Sequence, residues 1–301
     1  MSKSVKNQHY IPQFYLRRFA DENGRFCVYD VKNKNLLTRQ HPRNFASARY
    51  FYDTDSETLQ NILEESFLFY PELRNQIDLS NSQFVEHYLA IREAEASKAI
   101  TEIESNADAL WNDDNQQKII NFLYDLSVRT EFVRKQYEYI NDTLNNHLDK
   151  MNYPTKDKHK KHDDKELQLK QIFNVSKLQR ITYMLKENYD WFVGYNDSSV
   201  NFFVGDNPIY GISIGFNDIC FPMSLKKSII LRAKRHNGYI FSKDESTDGK
   251  TIDLSCNSIL IYNCIQIKRS YRYCFGDKNT FLLTNKINEL LGIDLTTLRS
   301  F

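Results

Sequence analysis

The sequence predicts an α+β fold: a small antiparallel sheet from the N- and C-terminal parts, with a helical middle containing a long helical hairpin. Two observations carry this. Residues 26–38 and 191–235 are rich in aromatic and β-branched residues broken by turn sequences, whereas residues 56–187 space their apolar residues in threes and fours. The chain's 301 residues are 41% hydrophobic and 26% charged, enough to bury a core and read as one domain over 1–301.

Near the N-terminus, Tyr15, Leu16 and Phe19 are spaced for a short helix after Pro12, and Asp21-Glu22-Asn23-Gly24 reads as a turn. Phe26–Tyr29 and Leu36–Thr38 flank Lys32-Asn33-Lys34-Asn35 as a β-hairpin, and Tyr50-Phe51-Tyr52 reads as a further extended piece. A helix starts at Ser56 with the stripe Leu59, Ile62, Leu63 and Phe67. A second covers about 83–104, with Phe84, Tyr88, Ile91, Ala99 and Ile103 near one face.

The strongest periodicity runs from 114 to 150. Ile119, Leu123, Leu126, Val133, Tyr137, Ile140 and Leu144 form a heptad seam with Thr130 in the vacant place. At 1.5 Å per residue this helix would be on the order of 50 Å long. Leu167, Leu169, Ile172 and Phe173 resume the pattern, so residues 114–187 read as a helical hairpin with a charged tip at about 152–165. A helix marked by Leu178, Ile181, Met184 and Leu185, with Ser176 as its cap, leads into strand sequence. Trp191–Tyr195 and Val200–Val204 flank Asp197-Ser198-Ser199 as a hairpin, and Ile219–Met223 and Ser228–Arg232 are further strands. Residues 253–269 suit either a strand or a buried helix, and Asn285–Leu291 a short terminal helix.

Composition bounds the function. A formal charge of +1 argues against an extended nonspecific DNA coat, which needs a strong basic excess, and leaves room for a local basic groove. The 19 Tyr and 20 Phe suit a core with hydrogen-bonding edges. Five scattered cysteines without a Cys-x-x-Cys pair, and a polar start without a signal-peptide core, lead us to expect a cytoplasmic protein that does not span a membrane. Phosphate-loop, dinucleotide-binding, nucleophile-elbow and His-Glu-x-x-His motifs are missing, which disfavours the common ATPase, oxidoreductase and hydrolase readings.

Two motifs stand out: His9-Tyr10-x-Pro12-x-x-Tyr15-Leu16-x-x-Phe19, and Phe203-Val204-Gly205-Asp206-Asn207-Pro208. With them the chain resembles the bacterial family called domain of unknown function 4238. Its members share a His-x-x-Pro-x-x-Leu start, a helical middle often containing Arg-Thr, a Ser-or-Gly-Asp-Asn-Pro strand end and a downstream Pro-Leu-Ser-Pro. This chain matches at His9, Pro12, Leu16, Arg129-Thr130 and Asp206-Asn207-Pro208. Phe221-Pro222-Met223-Ser224-Leu225 keeps only the first Pro and the Ser. The resemblance implies landmarks and no established activity.

The candidate chemistry gathers on these landmarks. His9 suits a general acid or base near Gln13, or a histidine that packs against the helix start. Asp206 and Asn207, at a strand end, suit orientation of a site or ordinary turn capping. Arg129 suits a planar fork on phosphate, or register fixing within the seam. Arg17 and Arg43 would add substrate contacts. His159, His162, Asp163 and Asp164 read as a solvated tip rather than a metal site, and no cofactor or metal is expected. Glu64-Glu65 with Asp206 lacks the Glu-x-Lys partner of a two-metal nuclease.

The leading expectation is therefore an RNase-like, metal-free phosphoryl-transfer enzyme, with RNA favoured over DNA, of a bacterial antiviral defence or toxin type. His9, Arg129 and Asp206 would be catalytic, and Gln13, Arg17, Arg43 and Asn207 would bind substrate. The rival is a non-enzymatic binding or assembly protein that uses the helical hairpin, with a protein partner or a second copy docked on the long helix. The enzyme reading requires His9, Arg129 and Asp206 to converge in one cleft.

Overall fold

The computed structural model describes residues 4–151, 164–209, 218–234, 245–246 and 250–290. Three sheets and a helical layer share most of their core, in which Tyr15, Phe122 and Phe221 meet as mutually packed rings. Among the described residues no helix is long and apolar enough to cross a membrane.

The smallest sheet pairs β1 (Asn7–His9) antiparallel with β4 (Ser47–Arg49), and His9 lies opposite Ser47. The extended piece expected at Tyr50–Tyr52 thus lies three residues earlier. Tyr50 turns away at φ +51°, and the Tyr52 N–H donates to the buried Gln8 side chain at 2.6 Å. Helix α1 (Gln13–Arg17) follows Pro12 as expected.

A four-stranded antiparallel sheet joins the two ends of the chain. Its order is β3 (Asn35–Gln40), β2 (Phe26–Asp30), β11 (Tyr273–Gly276), β6 (Val204–Gly205). The β2–β3 hairpin is the expected one. A mixed sheet has the order β7 (Ile219–Pro222), β8 (Lys227–Ala233), β5 (Tyr189–Tyr195), β10 (Thr251–Asp253), β9 (Glu245–Ser246), with β5 and β10 parallel.

The hairpin expected across residues 191–204 does not form: its two arms lie in different sheets. Asn196 closes a local turn, accepting from the Ser198 N–H at 3.0 Å and donating to the Val200 carbonyl at 2.7 Å. Beyond it, the main-chain N–H groups of Phe202, Phe203 and Gly205 go to Leu225, Asn263 and Gln266. Alternation marked both arms as extended and did not identify their partners.

Four helices follow the first strands: α2 (Ser56–Phe69), α3 (Phe84–Ser105), α4 (Asp113–Val128) and α5 (Glu131–Lys150). Leu59, Ile62, Leu63 and Phe67 of α2 are buried as expected, with Asp55 as the cap. The face expected for α3 is corrected: Val85, Leu89, Ala96, Ala99, Ile100 and Ile103 are buried, while Ile91 is 64% exposed. Arg92 sits within the true stripe and grips buried Asp125 through Nε at 2.6 Å and Nη2 at 3.1 Å. A charge in the stripe hid the inward face.

The long helix of 114–150 is also corrected, because it breaks at Arg129-Thr130. Thr130 adopts an extended conformation (ψ 159°) and caps α5, its hydroxyl accepting from the Val133 N–H at 3.4 Å. The seam holds through Leu126 and then fails: Ile140 and Leu144 are 57% and 56% exposed. Of the charged tip expected at about 152–165, residues 152–163 lie outside the described residues. Helix α6 (Asp164–Ile172) packs on α5, and α7 (Val175–Asn188) is capped by Asn174 rather than Ser176. Residues 256–269 form α8 (Cys256–Arg269), capped by Ser255, and α9 (Lys278–Leu290) begins seven residues before the expected terminal helix.

At Gly205 the end of α8 approaches β6 of the four-stranded sheet closely. A Cβ there would meet the Ser270 hydroxyl at 2.0 Å. Gly205→Ala is therefore expected to destabilise the fold by about 1–3 kcal/mol in denaturant titration, with partial recovery in Gly205→Ala/Ser270→Gly; an unchanged single variant would contradict this packing.

Candidate functional site

Tight packing holds the first motif in place. Tyr10 and Ile11 both direct their N–H groups at the Ala46 carbonyl, at 2.9 and 3.4 Å, and Ala46 itself takes a left-handed φ of +53°. Tyr15 is wholly buried, stacks on Phe221 at 5.2 Å and donates its hydroxyl proton to the Pro222 carbonyl at 2.9 Å. The first and last motifs of the sequence thus meet directly.

On this base, His9, Gln13 and Arg17 follow one another at helical spacing. Arg17 Nη2 donates to Gln13 Oε1 at 2.8 Å, which turns the Gln13 amide nitrogen towards His9 Nε2 at 3.2 Å. A donor facing Nε2 requires the imidazole to accept there and to carry its proton on Nδ1. The ring's other interaction, a hydrogen bond with the Arg43 main chain, fits that proton donated to the Arg43 carbonyl. Burial, with the Arg129 and Arg17 guanidiniums adding to it, pulls the His9 imidazole down to about 4. At neutral pH the ring is therefore uncharged.

Arg129 lies beneath this segment and is only 1% exposed. Its Nη2 donates to the His9 carbonyl at 2.6 Å, its Nη1 to Glu93 Oε1 at 2.7 Å and its Nε to the Tyr52 hydroxyl at 3.1 Å. Buried Tyr52 lies 5.5 Å from the guanidinium centre, ring to charge. Burial pushes the Tyr52 phenol up to about 12, and Glu86 up to about 7 although Arg129 opposes it. The helix break places this network: ending α4 at Val128 frees the Arg129 side chain to point across to β1.

Asp206 has a different environment. It is 3% exposed and accepts three main-chain N–H bonds, from Tyr271 at 2.7 Å, Arg272 at 2.8 Å and Tyr273 at 2.9 Å. Burial nevertheless pushes its carboxyl up to about 6. Asn207 donates to the Arg269 carbonyl at 3.4 Å. Both side chains therefore shape the turn between α8 and β11. Asp206 nonetheless acts on the same neighbourhood, because its charge and that of Glu131 both reach Tyr10, whose hydroxyl donates to Glu131 at 3.0 Å.

His9, Gln13, Arg17, Arg43 and Arg129 thus gather around one segment, but the side chains of His9, Arg129 and Asp206 do not converge in one cleft as expected: Arg129 is buried on the His9 carbonyl, and Asp206 caps the turn into β11 and touches the site only through its charge on Tyr10. Sequence reading missed Tyr52, Glu86, Glu93 and Glu131, which complete the buried network, and His41 and Arg25, which extend the outer face. His41 Nδ1 accepts from the Arg43 N–H at 3.2 Å, and desolvation with Arg43, Arg25 and Arg17 lowers its imidazole too. The charges that act on the two histidines are all cationic. Glu65 lies elsewhere and accepts from Ser176 N–H at the start of α7. Among the described residues no group of three His, Cys, Asp or Glu could hold a metal ion; of the tip histidines and aspartates only Asp164 is described.

A family model described as Protein of unknown function (DUF4238) matches residues 7–280. No curated protein and no solved structure matches the chain.

The depressed His9 ring has a consequence for stability. Its pKa is about 4 in the fold and about 6.5 in an unfolded chain, so the unfolded state binds the extra proton between those values. Stability is therefore full above pH 6.5 and falls by roughly 3 kcal/mol as the pH drops to 4. His9→Gln is expected to flatten that part of the pH–stability curve; an identical slope in the variant would refute the neutral, half-buried ring.

Proposed function

For a chain that belongs to the DUF4238 family, whose description names no activity, we propose phosphoryl transfer on nucleic acid, RNA more than DNA, centred on His9. The observation that carries this is the aligned His9–Gln13–Arg17 series beside Arg43, a cationic face around a neutral imidazole. Arg17 and Arg43 are exposed and would neutralise a phosphate, while Gln13 holds the ring. Arg129 is a positioning residue in this scheme: it fixes the His9 main chain and stays beneath it. Asp206 and Asn207 set the adjoining turn.

The electrostatics link binding to proton transfer. A bound phosphate brings negative charge beside Arg17, offsetting part of what lowers His9, and so raises the imidazole above about 4. Once the attacking hydroxyl displaces the Gln13 amide from Nε2, His9 accepts its proton there as that oxygen bonds phosphorus. The bond from phosphorus to the leaving oxygen breaks, and solvent supplies that oxygen's proton. Such an activity fits a bacterial defence or toxin role.

One observation favours a second reading, a non-enzymatic binding or assembly protein. Helix α5 leaves Tyr139, Ile140 and Leu144 at 72%, 57% and 56% exposure, a surface for a partner or a second copy.

The readings separate in one set of assays. Under the first, wild-type protein cleaves RNA and slows growth on expression, His9→Ala loses activity by about 10²-fold or more, and phosphate shifts the His9 titration upward in NMR. Wild type and His9→Ala being equally harmless and equally inactive on RNA and DNA would leave the binding reading.

A further inference from the structure

The hairpin β2–β3 contains an irregularity that its sequence does not require. Phe26 pairs with Gln40 and Val28 with Leu37, so Cys27 alone faces two residues, Thr38 and Arg39. This is a β-bulge, a feature that re-aims side chains. Within it Arg39 adopts φ +53°, a left-handed conformation that favours glycine. Both bulged residues line a cleft of about 590 Å³. Arg25 and Lys278 line it as well, and both are exposed.

Two acids also line this cleft, and both serve their own loops. Asp21 accepts the N–H groups of Asn23 and Arg25, each at 2.9 Å. Asp277 accepts from the Thr280 N–H at 2.9 Å and the Asn201 amide at 3.0 Å. Three cationic residues and two carboxylates therefore line the recess, a formal excess of one positive charge, and the carboxylates are held by their own loops while the cations are exposed. The cleft also continues the His9 face: the Phe26–Gln40 pairing puts Arg25 beside His41, whose Nδ1 receives the Arg43 N–H.

We propose that this cleft is a second phosphate subsite, so that a single nucleic-acid strand runs from the His9 face past His41 into the recess formed by Arg25, Arg39 and Lys278. The proposal rests on the phosphate reading of the His9 face and adds to it a substrate class: a strand several nucleotides long, in preference to a mononucleotide or a free phosphate. Basic grooves that track a backbone are the usual means of holding single strands. The bulge positions the Arg39 charge over the groove, where regular alternation would not.

The test is fluorescence anisotropy with 2′-O-methyl RNA, which resists cleavage, as a labelled single strand of about 12 nucleotides and as a dinucleotide. Arg39→Gly suits the left-handed backbone, so the variant is expected to melt no lower than wild type. Arg39→Gly and Arg25→Gln/Arg39→Gly should weaken the long strand, the double variant on the order of tenfold, and leave dinucleotide binding unchanged. Losing two phosphate contacts should also lower the salt slope by roughly 1.4. Long-strand binding and slope equal to wild type, or equal losses for both RNAs, would overturn the second subsite. Dinucleotide binding that remains sensitive to His9→Ala would then show that the phosphate reading itself stands. If wild type binds neither RNA, both fall together.

Discussion

One buried guanidinium holds the site together. Arg129 donates in three directions, to a strand carbonyl, a helix carboxylate and a phenol, and so ties β1 to α3 and to the loop before α2. A lysine could supply the charge but not this planar geometry. The break in the helical layer gives the side chain its direction: ending α4 at Val128 and recapping with Thr130 lets Arg129 reach the His9 carbonyl. The helix break is therefore part of the site.

Further rigid contacts surround this hub. Tyr15 joins the first motif to Pro222, Gly205 lets α8 approach the four-stranded sheet, and Asp206 fixes the turn into β11 with three main-chain bonds. Strain collects nearby. Arg39, Ala46 and Tyr50 all take left-handed φ values within the segment that wraps His9. Such conformations persist where the surrounding contacts over-determine them, and they concentrate at functional sites. Here they fix the Ala46 carbonyl beneath Tyr10 and aim Arg39 into its cleft.

Much of the fold was legible in the sequence, because local patterns are set by burial. The stripes of α2 and α7, the β2–β3 hairpin and the joining of the two chain ends in one sheet follow from apolar spacing and turn residues. His9, Gln13 and Arg17 were each legible as candidates, whereas their alignment was not, because it depends on side-chain hydrogen bonds along α1. What stayed hidden depended on distant partners. Arg92 is inward-facing only because Asp125 meets it, and Asp206 is a cap only because residues 271–273 arrive beside it. The seam through residues 119–144 was read across Arg129-Thr130 because periodicity does not register a helix break whose reason lies in β1. The strand β11 is only four residues long, too short to show alternation.

The central claim is that Arg129 sets the environment of His9 by geometry as well as by charge. The most direct measurement is the NMR titration of the His9 ring in Arg129→Lys, which keeps the charge and removes the fork. Without the fork the His9 main chain loosens and its ring gains solvent, so in a folded variant His9 is expected to titrate above about 4, towards the free imidazole, with a weakened phosphate response. A folded variant with the wild-type titration and phosphate response would contradict it.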